Sequence, residues 1–222
     1  MIKVKFANIE TIFECHYNSI NTLVIENTKM FREIIYSIIT KLDGEEGNVY
    51  FSENATDAKL SSIALCRDYY EVNINKKTTN ILQKDIISRL NGNLYEWNQW
   101  YQKGYEMLDN VLNNYDSCIS IDDDMDIASI VKLFNPTFAV DEETNLLEKL
   151  INYINILVEF SDVRLLIFVS IEDYFDKEEL ELLFKTCQYK EVSLLIIESS
   201  HRYRLDNEKT VLIDNDLCEI ID

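Results

Sequence analysis

Toward the C-terminus, the apolar and polar positions fall into three blocks. Arg164-Leu-Leu-Ile-Phe-Val-Ser170 and Val192-Ser-Leu-Leu-Ile-Ile-Glu198 are nearly unbroken apolar runs. Such runs are expected of strands covered on both faces. Between them, Asp176-Lys-Glu-Glu-Leu-Glu-Leu-Leu-Phe-Lys185 has the spacing of a one-faced helix. A helix joining two strands predicts a parallel pair with a right-handed crossover. Just upstream, Leu146, Leu147, Leu150, Ile151, Ile154, Leu157 and Val158 mark a strongly amphipathic helix. Near the N-terminus, residues 2–6 and 22–26 read as strands. Asn27 or Thr28 then caps a helix carrying Phe31, Ile34, Ile35, Ile38, Ile39 and Leu42 on one face. After a turn at Asp43-Gly-Glu-Glu-Gly47, Val49–Phe51 and Ile63–Cys66 are short strands, and Val211–Ile213 and Cys218–Ile221 close the chain as two more.

The middle has another character. Residues 77–91 and 94–115 are predicted helices rich in Asn, Gln and Tyr. In the second, Trp97, Trp100, Tyr101, Tyr105, Leu108, Val111 and Leu112 predict the core of a helical hairpin rather than a base-stacking platform, which strands usually present. An acidic loop, Ile121-Asp-Asp-Asp-Met-Asp126, precedes a short helix with Ile127, Ile130, Val131 and Phe134 inward, stopped at Asn135-Pro136. The expected organisation is an α/β domain made of residues 1–75 and 137–222, with an α-helical domain inserted at 76–136.

Composition narrows the function classes. The 222 residues are 47% hydrophobic, which supports a real core, and hold only 4 glycines and 1 proline. The net charge of -19 argues on average against nucleic acid, whose phosphates must be neutralised by Lys and Arg. A local basic surface or bound divalent cations reverse that argument where they occur. Cys15, Cys66, Cys118, Cys187 and Cys218 are odd in number and widely spaced, as expected of reduced cysteines in a cytoplasmic protein. The opening Met-Ile-Lys-Val-Lys-Phe is a strand and not a signal peptide, and no apolar run is long enough for a membrane span, so a soluble intracellular protein is expected.

The α/β core suggests a nucleotide, but the chemistry for one is missing. None of Gly44, Gly47, Gly92 and Gly104 fits a phosphate loop or a dinucleotide fingerprint. There is no Cys-x-x-Cys, His-Glu-x-x-His or Gly-x-Ser-x-Gly, and His16 and His201 stand isolated, with His201 expected in a solvated loop. Asp57-Ala-Lys59, with Asp43 upstream, matches half of a metal-dependent nuclease signature, but in a polar setting where a core strand is needed. Asp122, Asp123, Asp124 and Asp126 offer hard oxygens suited to Ca²⁺ or Mg²⁺. Ile127 and Leu133 stand where an EF-hand needs Gly and Glu, and by itself the loop reads as solvated, its charge favouring the following helix dipole. Lys76, Lys77, Lys84 and Arg89, with Lys59, Arg67 and Lys103 nearby in sequence, form a modest basic group that alone reads as a solvated face.

The order of these parts resembles the Csn-two family, the accessory spacer-acquisition proteins of type II-A CRISPR systems. The resemblance lies in Met1–Phe6, Asp68-Tyr-Tyr-Glu-Val-Asn73, Ile121–Phe134, Leu165–Val169, Tyr174–Leu180 and Ser193–Glu198. It implies an α/β head like that of a P-loop ATPase with its phosphate loop lost, plus an α-helical domain. It further implies a ring-shaped homotetramer that binds ends of linear double-stranded DNA through its central hole. Ca²⁺ would be held by acidic residues, here Asp122, Asp123, Asp124 and Asp126. Lys59, Lys76, Lys77 and Lys84 fall in the region that lines the family's hole. The implied partners are the CRISPR spacer integrase and the RNA-guided effector nuclease, with no membrane and no enzymatic activity. Two other expectations stay open: a divergent metal-dependent nuclease using Asp43, Asp57 and Lys59, and a protein-only scaffold of the acquisition complex.

Overall fold

A computed structural model describes residues 1–70, 76–115, 119, 126–138 and 144–221, with backbone only at 76, 77, 93 and 94. The chain divides into two compact units, Met1–Asn73 with Asp141–Asp222, and Ile74–Val140.

The first unit is mixed α/β. Its first half runs β1 (Ile2–Phe6), β2 (Ile12–Cys15), β3 (Ile20–Ile25), α1 (Thr28–Leu42), β4 (Val49–Glu53), β5 (Thr56–Asp57) and β6 (Ile63–Cys66). The second unit holds α2 (Lys76–Leu90), α3 (Leu94–Leu112) and α4 (Ile127–Phe134). The chain then completes the first unit with α5 (Leu146–Phe160), β7 (Leu165–Val169), α6 (Lys177–Tyr189), β8 (Ser193–Glu198), β9 (Glu208–Ile213) and β10 (Glu219–Ile221).

Two sheets result. One is antiparallel with order β2-β1-β4-β5, and the other has order β10-β9-β3-β8-β7-β6. In the second, β9, β3, β8, β7 and β6 run parallel, and β10 returns antiparallel at the edge. The predicted parallel pair is present, with Leu165 opposite Ser193 and Val169 opposite Ile197. Strand alternation explains why β7 and β8 are apolar throughout. Leu165, Ile167, Leu195 and Ile197 face a core shared with the antiparallel sheet and α1, while Leu166, Phe168, Leu194 and Ile196 face α5 and α6. Each side chain so buried contributes about 1.5–3 kcal/mol.

Caps set the helix starts. Asn27 Oδ1 accepts from Met30 N–H (3.0 Å) and Asn145 Oδ1 from Glu148 N–H (2.8 Å). Asp176 and Glu179 bond reciprocally in a capping box that opens α6. The hairpin β4–β5 was not anticipated, nor was β2. Its two turn residues, Asn54 and Ala55, both have positive φ (50° and 63°), as a tight hairpin turn requires. A short polar stretch containing Ala in place of Gly hides that turn.

In the second unit, α4 packs on α2, and Gln83 Nε2 donates to Asn135 Oδ1 (3.4 Å). Ile127, Ile130 and Val131 are buried as predicted, but Phe134 is 67% exposed. Asn135 adopts a left-handed conformation (φ 44°) and ends the helix there, so Phe134 is its last helical residue. Among the described residues, α3 does not form the predicted hairpin core. Trp97, Tyr101, Tyr105 and Leu112 are half-buried and Trp100, Leu108 and Val111 exposed, so none of the stripe is buried among the described residues. Trp97 and Trp100 meet each other edge to face at 5.9 Å.

Candidate functional site

The turn after β3 is where a nucleotide-binding sheet would place its phosphate loop. Here only Glu26 and Asn27 separate β3 from α1. One of the first N–H groups of α1, that of Met30, is met by the chain itself, through Asn27 Oδ1. Asn27 Nδ2 in turn donates to Asn215 O (3.3 Å). A phosphate would have to displace that cap, and no glycine is present to curl a larger anion nest.

Among the acidic residues, Asp122, Asp123 and Asp124 lie outside the described residues. Asp126 is the N-cap of α4: its Oδ1 accepts from Ala128 N–H (3.0 Å), and its Oδ2 from Ser129 N–H (3.1 Å) and Ser129 Oγ (2.6 Å). The Ser129 hydroxyl, with the backbone bonds behind it, holds the carboxyl below its ordinary range, so it is ionised at neutral pH. Of roughly four lone-pair sites on a carboxylate, three are occupied, which leaves room for one bond to a cation through Oδ1.

The lysines are spread over both units. Lys59 is exposed in the first, where its carbonyl caps the turn Leu60–Ser62 by accepting from Ser62 N–H and Oγ. Lys84 is exposed on α2, two turns beyond position 77. The backbone at Lys76 and Lys77 forms the first turn of α2.

The nuclease trio does not sit as that chemistry requires. Asp57 lies on the two-residue, exposed β5, and Asp43 is the C-cap of α1. No three His, Cys, Asp or Glu side chains among the described residues converge in a metal-holding group.

One cluster went unnoticed in the sequence. Glu172, in the turn after β7, and Glu198, at the end of β8, are buried, and the Glu208 side chain at the start of β9 is equally enclosed. Glu172 N–H donates to Glu198 Oε1 (3.1 Å). His201 lies in an exposed loop, as expected, but its ring is engaged: its Nδ1 lies 2.9 Å from Glu172 Oε1 and its Nε2 3.7 Å from Glu208 Oε2. Arg202 N–H donates to Glu172 Oε2 (2.5 Å), and its guanidinium bonds Glu172 O (3.0 Å) and Asp173. Thr22 Oγ1 and Leu205 N–H complete the shell by donating to Glu208. Burial pushes Glu198 up to about 8; the charges of Glu172 and Asp173 add to the rise, and the bond from Glu172 N–H opposes it. The network ties the segment 199–207 across the sheet. Its one sequence signal is Glu198 itself, an ionisable residue closing an apolar run.

The thiols of Cys15 and Cys187 are buried and pushed up to about 12, hence unreactive, while Cys218 is exposed. No described helix is long and apolar enough to cross a membrane.

These features define a mixed α/β protein with a parallel sheet, a capped helix after β3, and a separate helical unit. The family model described as CRISPR-associated protein (Cas_Csn2) matches residues 41–217, most of the chain, and the chain belongs to this family. No curated protein matches it. The match starts in the last turn of α1, so it omits β3, although β3 lies between β8 and β9 in the sheet.

Proposed function

We propose that this protein is a non-catalytic, ring-forming binder of linear double-stranded DNA ends that acts in CRISPR spacer acquisition. The observation that carries the reading is the family match over residues 41–217. The head is read as a P-loop-ATPase-like domain that has lost its nucleotide chemistry, and the Asn27-capped turn between β3 and α1 supports this. Self-association into a homotetramer is supported by α3, on which Trp100, Leu108 and Val111 are exposed in the described part of a single chain. Asp122, Asp123 and Asp124 are the proposed Ca²⁺ ligands, and Asp126 adds at most one bond through Oδ1. Lys59, Lys76, Lys77 and Lys84 are the proposed DNA contacts, directed at phosphates and independent of sequence. The proposed protein partners are the spacer integrase and the RNA-guided effector nuclease.

The test is a gel shift with linear and covalently closed circular duplex of equal length, with Ca²⁺ and with chelator. Binding of linear duplex only, and only with Ca²⁺, is expected. Equal binding of both forms would remove the ring, and binding of neither would favour a protein-only scaffold. Charge reversal at Lys76 and Lys77 is expected to weaken binding and flatten its salt dependence. Mg²⁺-dependent cleavage of the linear duplex that is abolished by Asp57→Ala would instead establish the nuclease.

A further inference from the structure

The connection from β8 to β9 crosses β3 without a helix. Residues 199–207 run from the end of β8 to the start of β9, the two strands that flank β3, and contain no helix or strand. Leu205 is buried and Tyr203 half-buried in the core shared with α5 and α6, but every other residue of the segment is exposed. With so little apolar anchorage, polar bonds to enclosed carboxylates hold it down. Arg202 N–H donates to Glu172 Oε2 (2.5 Å) and Leu205 N–H to Glu208 Oε2 (2.8 Å). The His201 ring faces the same two acids, with Nδ1 2.9 Å from Glu172 Oε1 and Nε2 3.7 Å from Glu208 Oε2. Those side chains are only 2% and 1% exposed.

A neutral imidazole has one N–H and one lone pair, so it can donate to one of these carboxylates and must turn its lone pair on the other. Only the imidazolium serves both. The neighbouring charges are otherwise occupied. The Arg202 guanidinium bonds Glu172 O and Asp173, and Arg204 has a partner of its own. Glu198, bonded to Glu172 N–H, keeps its proton up to about 8. Asp206 lines a surface cavity with Glu181 and Lys185 of α6, and the charge of Lys209 acts on Glu14.

We propose that His201 is a proton-operated latch: charged, it ties the segment 199–207 to Glu172 and Glu208, and on losing its proton it lets the segment open while the sheet beneath stays folded. The full set of bonds is present below the titration of the imidazole and is lost as pH rises through it. Segments with few buried contacts are the ones that open locally. Glu198 sheds its proton with the same sign at higher pH, so the test separates the two groups. The latch does not depend on DNA binding.

The experiment is hydrogen–deuterium exchange of the full chain, read by mass spectrometry from about pH 5 to about pH 8, where imidazoles change charge, with rates corrected for intrinsic exchange. Protection of the peptide holding the Arg202 and Leu205 N–H groups should fall about tenfold across that range, the worth of one hydrogen bond to a charged group. β8 should keep its protection and serves as the internal control. His201→Gln, neutral at every pH, should show the low protection throughout. Glu208→Gln, which removes one of the two charges, should show a smaller fall, and Glu198→Gln should keep the fall. Wild-type protection that does not change with pH, or a fall that persists in His201→Gln, overturns the latch. A fall abolished by Glu198→Gln also overturns it and assigns the pH dependence to that carboxyl. Loss of β8 protection in His201→Gln overturns it too, because the ring would then hold the sheet and not a separable segment.

Discussion

The strands β7 and β8 of the first unit and α3 of the second are all rich in large apolar side chains, yet only the two strands have them covered on both faces. Leu165 to Phe168 and Leu194 to Ile197 are almost fully buried because each strand has a layer on either face. The stripe of α3 has no such layer among the described residues. Helical periodicity thus marks a surface that must be covered without saying whether the cover belongs to the same chain. The contrast separates residues that hold the fold from residues available for assembly, and four substitutions test it.

The largest effect on folding is expected in β7. Phe168→Ala opens a cavity between the sheet, α5 and α6 and should cost about 3–5 kcal/mol in urea unfolding. A loss under 1 kcal/mol, on the order of a surface change, would break the comparison.

Next comes the buried carboxyl at the end of β8. Glu198 stands at about 8 in the fold against an ordinary 4.5. Between those values the folded state keeps a proton that the unfolded chain releases, so stability falls as pH rises through the window. Below the window both states are protonated, and above it the full penalty is present. Glu198→Gln should therefore be more stable than wild type by a margin growing to a few kcal/mol across the window. A margin that does not change with pH would show that Glu198 is not held protonated.

Removing the cap at the β3–α1 turn with Asn27→Ala should cost about 1 kcal/mol by thermal melting. If the variant instead gains affinity for inorganic phosphate, the cap is what had closed an anion site there.

The smallest effect on folding is expected on α3. Leu108→Ser should change the unfolding of the dilute single chain by less than about 0.5 kcal/mol, yet lower the assembly mass in analytical ultracentrifugation. Destabilisation of the single chain would show that α3 is covered from within.

Much of the first unit was legible because its signals are local. Continuous apolar runs identified β7 and β8, and the i, i+3, i+4 spacing identified α1, α5 and α6. Where the signal is short, the reading failed: β2 has four residues, β5 has two, and the turn Asn54-Ala55 lacks its usual glycine. At the candidate sites, the missing phosphate loop was plain from the glycine count, and Asp126 was legible as an acid before a helix. Its engagement by Ala128 and Ser129 was not, and neither was the placement of His201 between Glu172 and Glu208.

By itself, then, the sequence determined the long strands and helices of the first unit, the parallel pairing around α6, the lack of a phosphate-loop motif and the family. Propensity, periodicity and motif spacing act between near neighbours and survive in a linear string. Only the tertiary structure decided that β3 enters the sheet between β8 and β9, that His201 sits between two enclosed carboxylates, and that the apolar stripe of α3 is only partly covered among the described residues. Those outcomes depend on contacts between residues far apart in the chain, such as Glu172 with His201 or Thr22 with Glu208, whose energies exist only once the backbone has brought them together.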